Sequence, residues 1–322
     1  MGGRSAVVGA VDVGSNTVKL TVARRRSNGT LRVLAADAET VRLGAGLAER
    51  GTLAGDRVDA ALVALTRFGE IARSHGATRL VGVATEATRR ASNGGEFLRR
   101  VRDETGWDLL AISGEDEAAL TFRGLAIEVD LAGAVVVADI GGGSTEVIHA
   151  DDGVIRSTTS LRLGSGALTD LLVPADPPTV ADVDACTAAA LDILRQGGVA
   201  GGRGGRLIAV GGTGEYLARL VPDAHRVIGA EVETALARCR EMPAAMLATH
   251  LGIQEARARV LPAGIAIVRA LQQVLRPIYI EVARSGIRAG LLLDTFERMD
   301  REMNGLGEPA GDSGPRSIRN DD

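Results

Sequence analysis

Val135–Ile148, an apolar segment interrupted by acids and glycines, contains the residue types that bind a phosphate together with a metal ion. Its sequence, V-V-V-A-D-I-G-G-G-S-T-E-V-I, predicts a buried strand, a tight glycine turn and a second strand. Glycines let an anion approach backbone N–H groups, and the hydroxyls of Ser144 and Thr145 can donate to phosphate oxygens. Asp139 and Glu146 offer the oxygen ligands that Mg²⁺ prefers. The alternative is an ordinary glycine hairpin with solvated polar residues.

A second segment, Val7–Ala23, repeats this pattern near the N-terminus. The alignment of the two segments pairs Asp12 with Asp139, Gly14 with Gly141, and Thr17 with Ser144. A repeated supersecondary unit predicts two related halves, each offering a phosphate loop to a shared cleft. Two matched loops with an acid in the same place favour a nucleotide or polyphosphate site.

Composition limits the class of protein. The chain has 322 residues, of which 45% are hydrophobic and 2% aromatic, enough for two domains with aliphatic cores. The two cysteines, Cys186 and Cys239, lack metal-ligand spacing and are predicted to be small buried residues in a reducing compartment. We see no signal peptide and no apolar run of membrane-spanning length, so we expect a cytoplasmic protein with no membrane partner.

Charge gives a weaker indication. The net charge of −4 does not favour nucleic acid as a partner, so a polyanionic substrate would need a local basic groove. Positive charge is almost entirely arginine, and Lys19 is the only lysine. Arginine suits bidentate binding of phosphate, although a genome of high G+C content explains most of this bias.

The order of predicted elements indicates two mixed α/β halves. Each half opens with an antiparallel ribbon of strands and continues with strands that alternate with helices. We expect an N-terminal domain over residues 1–126 and a C-terminal domain over residues 127–303, which includes a closing helix at Gly290–Met299. Residues 304–322 are rich in Gly, Pro, Ser and Asp and are predicted to be disordered.

Three segments of the second half carry local predictions. Ser160–Ala167 contains Arg162 and a predicted loop at Gly164-Ser165-Gly166. Gly211–Gly214, which follows an apolar run, is interpreted as a third glycine loop before a helix. Residues 231–270 have helical periodicity, with expected breaks at Pro243 and Pro262.

Ser113–Ala118, with the sequence S-G-E-D-E-A, joins a predicted strand to a predicted helix. Ser113 with Asp116 three residues later is the pattern of a capping box, and the helix dipole favours acids in the first turn. One or two acids satisfy that structural role. Glu117 is surplus and is a candidate general base for a water molecule. The sequence alone does not rank the three acids.

Arg89 lies at the end of a Thr-rich turn and is a candidate for neutralising a phosphoryl group in transfer. The alternative is an exposed arginine at a helix start, an interpretation that also fits the adjacent Arg90. No G-x-x-x-x-G-K-[ST] sequence occurs, which argues against a P-loop NTPase. The four histidines have no metal spacing and are predicted to be surface or loop residues: His75, His149, His225 and His250.

Four ordered motifs resemble those of the exopolyphosphatase / guanosine pentaphosphate phosphohydrolase family. They are D-V-G-S-N-T at Asp12–Thr17, A-T-E-A-T-R at Ala84–Arg89, I-S-G-E-D-E-A at Ile112–Ala118, and D-I-G-G-G-S-T-E at Asp139–Glu146. The resemblance covers residues 6–300. It implies two ribonuclease-H-like domains of the actin-like and sugar-kinase superfamily around an interdomain cleft, in the short two-domain type of the family.

The resemblance also implies a chemistry and a set of site residues. It implies hydrolysis of a terminal phosphoanhydride with Mg²⁺, or Mn²⁺, and water. Glu117 is the implied catalytic base, and Arg89 is implied to face the terminal phosphate. Asp139 and Glu146 are the implied metal ligands, and Asp12 is a further candidate through its alignment with Asp139. The phosphate-binding candidates are Gly14, Ser15, Asn16, Thr17, Gly141, Gly142, Gly143, Ser144 and Thr145.

Several functions remain open at this point. The first hypothesis is an exopolyphosphatase acting on inorganic polyphosphate, and its alternative is a guanosine pentaphosphate 5′-phosphohydrolase. An ATP-dependent kinase of the same fold would use Gly211–Gly214 for its nucleotide, but the surplus acid Glu117 favours hydrolysis. A non-catalytic polyphosphate or alarmone sensor would not need that base. A homodimer is expected from the resemblance only.

Overall fold

The structure is a computed structural model that describes residues 6–200, 205–221 and 226–304. The chain forms two compact units. Unit 1 contains the residues up to Ile127 and those from Ile287 onwards, and unit 2 contains Glu128–Gly286. The first boundary lies one residue from the predicted one. The predicted disordered tail, apart from Asn304, lies outside the described residues.

Unit 1 is built on a five-stranded mixed sheet with the strand order β3-β2-β1-β4-β5. Its first three strands form the predicted antiparallel ribbon, while β4 and β5 run parallel to β1. The strands are β1 (Val7–Val13), β2 (Val18–Arg25), β3 (Leu31–Glu39), β4 (Arg79–Ala84) and β5 (Asp108–Ala111).

Helices cover both faces of this sheet. They include α1 (Leu47–Arg50), α2 (Gly55–Ser74), α3 (Glu86–Arg90), α4 (Gly94–Thr105) and α5 (Gly114–Leu125). On one face, Phe68 of α2 and Phe97 of α4 share a core with Val11. On the other face, Leu120 of α5 shares a core with Ala10. Because side chains alternate along a strand, Asp12 lies on the α5 face, at the end of β1.

Unit 2 repeats this arrangement around a six-stranded sheet with the order β10-β11-β9-β6-β7-β8. The strands are β6 (Ala134–Ile140), β7 (Thr145–Asp151), β8 (Val154–Leu161), β9 (Arg206–Val210), β10 (Arg226–Val227) and β11 (Ile280–Ala283). The helices are α6 (Ser165–Leu172), α7 (Val180–Gln196), α8 (Gly211–Leu220), α9 (Gly229–Glu241), α10 (Ala244–Leu251) and α11 (Glu255–Leu275). β6, β7 and β8 form the second antiparallel ribbon, and β9 runs parallel to β6.

The closing helix α12 (Ile287–Met303) belongs to unit 1, so the predicted C-terminal domain of residues 127–303 is wrong at its end. The helix packs against α5, β1 and β2, where Leu292 and Phe296 join the core on the α5 face. Arg288 donates hydrogen bonds to the carbonyl of Leu20 at 2.7 Å and to the Thr21 hydroxyl at 2.8 Å. The sequence shows the apolar stripe of this helix but not the sheet that the stripe covers.

Three local predictions in unit 2 differ from the structure. Helix α6 begins at Ser165, inside the predicted loop, and Gly211–Gly214 forms the first turn of α8 instead of a separate loop. Pro243 is the N-cap of α10, as expected of a break, but Pro262 lies inside α11. Proline removes one backbone hydrogen bond from a helix, and here tertiary packing of a mostly buried helix outweighs that loss.

Helix α11 is also the one helix among the described residues that is long and apolar enough to cross a membrane by length and composition. Its most apolar 18-residue window has a mean hydropathy of 1.2, contrary to the prediction that no segment reaches this criterion. In the structure, 72% of that window is buried inside the protein. This burial is typical of a core helix, which passes the same test.

Burial favours the neutral forms of two cysteines and one histidine in unit 2. Cys186 and Cys239 are free and buried, as predicted, and burial raises their pKa values to about 11 and about 12. His149, on β7, is partly buried instead of lying on the surface, and burial lowers its pKa below the ordinary value of 6.5. His225 lies outside the described residues.

Candidate active site

The two predicted phosphate loops have the same local geometry. Loop 1 is Gly14–Thr17, between β1 and β2, and loop 2 is Gly141–Ser144, between β6 and β7. In loop 1 the N–H of the first residue donates to the carbonyl of the last at 3.2 Å, and in loop 2 the equivalent distance is 2.9 Å. The alignment made from the sequence therefore corresponds to the same hydrogen bond in both units.

The carbonyl groups of loop 1 are bound by the segment that follows β3. The Ser15 carbonyl accepts a hydrogen bond from the Gly44 N–H at 2.8 Å, and the Asn16 carbonyl accepts one from the Arg42 N–H at 2.8 Å. A trans peptide directs each N–H away from the preceding carbonyl. The N–H groups of Asn16 and Thr17 therefore point away from this segment, as a phosphate-binding loop requires.

Loop 2 is held in the same way by the start of α6, which follows β8. The Gly141 carbonyl accepts hydrogen bonds from the Ser165 N–H at 2.9 Å and hydroxyl at 3.1 Å. The Gly142 carbonyl accepts bonds from two further N–H groups of α6, at 3.0 and 3.1 Å. The same peptide geometry directs the N–H groups of Gly142 and Gly143 away from α6.

The contact between α6 and loop 2 requires glycine at position 164. A Cβ atom on Gly164 would lie 2.3 Å from both the Gly142 carbonyl oxygen and the Gly143 nitrogen. Real Cβ atoms do not approach backbone this closely. The glycine therefore allows the helix start to support the loop directly. Ser144, at the end of this loop, is 4% exposed.

Thr145, also a predicted phosphate ligand, is fully buried at the start of β7. Its hydroxyl donates a hydrogen bond to the Leu163 carbonyl at 2.5 Å. This contact joins the end of loop 2 to the segment between β8 and α6. In the structure, the Thr145 hydroxyl therefore fixes the loop through the backbone.

The cross-strand neighbours of the two aspartates differ in charge. In unit 1, Asp12 lies opposite Lys19, and the ammonium nitrogen is 4.0 Å from Asp12 Oδ2. In unit 2, Asp139 lies opposite Glu146, so two carboxylates occupy the equivalent pair. Directly opposed residues of antiparallel strands project to the same face of the sheet. Unit 1 thus places a cation beside its acid, and unit 2 places a second acid there.

Glu146 is only 1% exposed, and its carboxylate is bound by a residue of the neighbouring strand β8. The Ser160 hydroxyl, at the end of β8, donates a hydrogen bond to Glu146 Oε1 at 2.9 Å. Gly211, at the start of α8, has a φ of 83°, and a Cβ there would lie 2.9 Å from Asp139 Oδ1. The predicted third glycine segment therefore begins directly against Asp139.

The donor chemistry of Asp139 and Glu146 fits a magnesium ion. Mg²⁺ commonly binds one or two carboxylates and completes its shell with waters and substrate phosphates. Among the residues that the structure describes, no group of three or more His, Cys, Asp and Glu side chains could hold a metal ion. The protein would therefore supply part of the coordination shell, and phosphate and water would supply the rest.

The structure ranks the three acids at the start of α5. Ser113 and Asp116 form the predicted capping box, in which the Ser113 hydroxyl accepts a bond from the Asp116 N–H at 3.0 Å. Glu115 is exposed. Glu117 is buried, with 9% of its surface exposed, and the capping box does not use its side chain. Of these three acids, Glu117 is the buried one, and it stays the candidate base.

Arg89, on the short helix α3, lies beside that acid. Its NH1 atom is 4.0 Å from Glu117 Oε2 and donates a hydrogen bond to the Ile112 carbonyl at 2.5 Å. Its NH2 atom donates to Glu86 Oε2 at 2.6 Å. The two predicted catalytic residues, Glu117 and Arg89, are thus close together in unit 1.

Comparison with known proteins gives the family. The family model described as the Ppx/GppA phosphatase family matches residues 21–299. The chain belongs to this family. The resemblance inferred from the four motifs is thereby confirmed.

Two curated relatives of this Ppx/GppA protein carry different names. Exopolyphosphatase 1 of Mycobacterium tuberculosis is 32% identical over 325 residues, which cover 97% of this chain and 94% of the relative. Guanosine-5'-triphosphate,3'-diphosphate pyrophosphatase of Vibrio cholerae is 28% identical over 305 residues, which cover 92% of this chain and 61% of that protein.

Solved structures of the family share the fold. The Aquifex aeolicus Ppx/GppA family member has a TM-score of 0.73 and 26% identity, covering 92% of this chain and 99% of that chain. An exopolyphosphatase from Cytophaga hutchinsonii has a TM-score of 0.80 at 22% identity, covering 94% of this chain and 99% of that chain, which shows the fold alone. The predicted α/β class with two ribonuclease-H-like, actin-like domains is confirmed.

Sequence reasoning did not single out two residues of this Ppx/GppA site. Glu86 lies within a quoted motif, three positions before Arg89, and that spacing on a helix brings two side chains together. It was missed because the segment was interpreted as a turn instead of a helix. Ser160 reaches Glu146 through the register of β7 with β8, which no local pattern reveals.

Proposed function

We propose that the protein is an exopolyphosphatase that releases terminal orthophosphate from inorganic polyphosphate. The observation that carries this proposal is the position of Glu117, which is buried beside Arg89 and is not used by the helix cap. Hydrolysis needs a base for the attacking water, which a protein that only binds phosphate does not need. The name of the Mycobacterium tuberculosis relative, which matches over nearly its full length, supports the substrate class.

The proposed reaction is a single displacement by water. The water oxygen forms a bond to the terminal phosphorus, and the bond from that phosphorus to the bridging oxygen breaks. Glu117 accepts the proton of the attacking water, and the shortened polyphosphate leaves with the electron pair of the broken bond. Positioning and charge neutralisation supply most of the acceleration of such a transfer.

The remaining residues are proposed to bind and orient phosphate. The N–H groups of Asn16 and Thr17 in loop 1, and of Gly142 and Gly143 in loop 2, would donate to phosphate oxygens. The guanidinium of Arg89 has five N–H donors in general, of which the described contacts with Glu86 and Ile112 use one on each terminal nitrogen. The other N–H groups of Arg89 would face the terminal phosphate.

Asp139 and Glu146 are proposed to hold Mg²⁺, for which Mn²⁺ would substitute. The ion would neutralise charge on phosphate oxygens when it is bound. The Ser160 hydroxyl keeps Glu146 in its orientation through Oε1. Asp12 stays a predicted ligand, but Lys19 already places a positive charge beside it. A cytoplasmic location and a homodimer also stay predictions.

A second candidate acts on guanosine pentaphosphate with the same chemistry. The Vibrio cholerae relative favours it, because that protein is named for guanosine-5'-triphosphate,3'-diphosphate and matches 92% of this chain. The chain spans only 61% of that relative, whereas it spans 94% of the exopolyphosphatase. Polyphosphate is therefore the first proposal.

Phosphate release by the purified protein distinguishes the two substrates. Short polyphosphate, long polyphosphate, guanosine pentaphosphate and ATP are each supplied with Mg²⁺, and orthophosphate is measured over time. The proposal expects release from polyphosphate at a higher kcat/KM than from the other two compounds. Release confined to guanosine pentaphosphate would establish the second candidate. Tight binding of polyphosphate without release from any substrate would contradict both and favour a sensor.

A further inference from the structure

Glu86 is a buried acid next to the proposed catalytic pair, and the proposed reaction gives it no role. It is the first residue of α3, and only 6% of its surface is exposed. Its Oε2 atom accepts the hydrogen bond from Arg89 at 2.6 Å, and its Oε1 atom lies 3.6 Å from Arg90 Nε. A buried carboxylate is costly unless it is paired, and here it is paired with two guanidinium groups.

Arg89 lies between two carboxylates at unequal distances. It makes a direct charge-assisted hydrogen bond to Glu86, but its approach to Glu117, at 4.0 Å, is too long for a hydrogen bond. All three side chains are largely buried, with 18%, 8% and 12% of the Arg89, Glu86 and Glu117 side chains exposed. Solvent therefore screens these attractions weakly.

The second anchor of Arg89 lies close to Glu117 in the fold. Arg89 NH1 donates to the carbonyl of Ile112, the residue before the N-cap Ser113 of α5. The same NH1 atom is the one nearest to Glu117. A small rotation of the guanidinium would convert this approach into a direct hydrogen bond, unless Glu86 holds the other terminal nitrogen in place.

We propose that Glu86 is a positioning residue that holds Arg89 away from a direct hydrogen bond with Glu117. Without the Glu86 charge, Arg89 would be a buried cation with its strongest anchor removed, and it would turn towards Glu117. That contact would occupy the carboxylate that must accept the proton of water. This inference rests on the proposed function, because it assumes that Glu117 is the base and that Arg89 faces phosphate.

The direct test is structural and does not depend on any substrate. Crystal structures of the wild-type chain and of Glu86→Gln are compared, since glutamine keeps the size of the side chain and removes its charge. The proposal expects Arg89 to move from 4.0 Å to hydrogen-bond distance of Glu117, about 3 Å, in the variant. An unchanged distance in Glu86→Gln would overturn the proposal, whatever the enzyme hydrolyses.

Kinetics supply the second test. Glu86→Gln is expected to lower kcat by about 10- to 100-fold, since misplacing a catalytic group costs rate. KM is expected to change less than kcat. Glu86→Asp keeps the charge on a shorter side chain, and its kcat is expected to lie between those of the wild-type chain and Glu86→Gln. The matched control is Glu96→Gln, an exposed acid in the first turn of α4, which is expected to leave kcat and KM unchanged.

A double variant separates positioning from general damage to the fold. If Glu86 acts only through Arg89, Glu86→Gln adds no further loss of kcat to a chain that already carries Arg89→Ala. Additive losses would show an independent structural role and contradict the proposal. If the wild-type chain released no phosphate from any substrate, the proposed function would fail, and the crystal structures would still decide whether Glu86 restrains Arg89.

Discussion

The two antiparallel ribbons have the same backbone pattern at their loop ends, but the residue opposite the aspartate is a cation in one unit and an acid in the other. In each unit an aspartate is the next-to-last residue of the first strand, a glycine loop follows, and the residue opposite the aspartate is the second residue of the next strand. Unit 1 places Lys19 opposite Asp12, whereas unit 2 places Glu146 opposite Asp139. The duplicated fold therefore fixes where a side chain lies, and one residue type decides which ion that place favours.

The two units therefore carry different residues for phosphate chemistry. Both loops direct N–H groups away from the segments that support them, so both suit an anion. The acid pair of unit 2 adds a place for a cation, while unit 1 adds Arg89 and the candidate base Glu117. Substitutions made in one unit at a time test these contributions separately.

Among the substitutions that follow from this difference, removing one charge of the acid pair is expected to have the largest effect. Glu146→Gln keeps the size of the side chain but removes one of the two charges that would hold Mg²⁺. Because a bound metal supplies several kcal/mol of charge stabilisation, we expect kcat to fall by about 100-fold or more. Phosphate release measured against Mg²⁺ concentration and calorimetric binding of Mn²⁺ both test this.

The control for that variant is Glu241→Gln, an exposed acid of the same unit on α9. It is expected to leave the Mg²⁺ midpoint and the Mn²⁺ affinity unchanged. If Glu146→Gln bound Mn²⁺ as tightly as the wild-type chain, the second carboxylate of unit 2 would not be needed for a metal site, which contradicts this prediction.

Each loop is contacted by a glycine, and substitution of that glycine tests whether the two contacts leave equal room for a side chain. In Gly164→Ala the new Cβ meets loop-2 backbone at 2.3 Å, and overpacking of this kind typically costs about 1–3 kcal/mol. In Gly44→Ala the nearest atom is the Ser15 Cβ at 3.1 Å, which requires only a small shift. Urea unfolding of both variants is expected to show the larger loss in Gly164→Ala, and equal losses would contradict it.

A smaller difference concerns pH. His149 on β7 occupies the position that Val22 occupies on β2, and burial lowers the pKa of His149 below its ordinary 6.5. The unfolded chain then binds the proton more readily, so stability falls as pH decreases below about 6.5 and levels off below the folded-state pKa. Thermal melting of His149→Gln should lose this part of the pH dependence.

The exposed His250 provides the matched control for that measurement. The melting temperature of His250→Gln is expected to decline below about pH 6.5 as much as that of the wild-type chain. If His149→Gln retained the whole decline as well, the partly buried imidazole would not be its source.

The sequence predicts the features that depend on local pattern. The repeat of Asp, Gly and a small polar residue predicts both ribbons, and Ser113 with Asp116 predicts the capping box of α5. In these cases the residues that contact each other are close in the chain. The candidate base could be named because Glu117 exceeds what the cap needs.

The features that were missed depend on contacts between distant residues. No side chain caps α6 at Gly164, so its helix start has no local signal, and the glycine there serves contact with loop 2. Pro262 predicts a helix break, but the packing of α11 overrides that preference. The sequence shows the apolar stripe of α12, but the elements that the stripe packs against, α5, β1 and β2, are set by tertiary contacts between distant residues.

The central claim is that Glu117 activates water for hydrolysis, and one comparison within α5 tests it most directly. Phosphate release from polyphosphate is measured for Glu117→Gln and for Asp116→Asn, with substrate binding and melting temperature measured on the same proteins. We expect Glu117→Gln to bind polyphosphate and melt normally but to lose about 10²- to 10⁴-fold in kcat, as removal of a general base does. Asp116→Asn should retain kcat and lose about 1 kcal/mol of stability through its weakened cap. Wild-type turnover in Glu117→Gln would contradict the account.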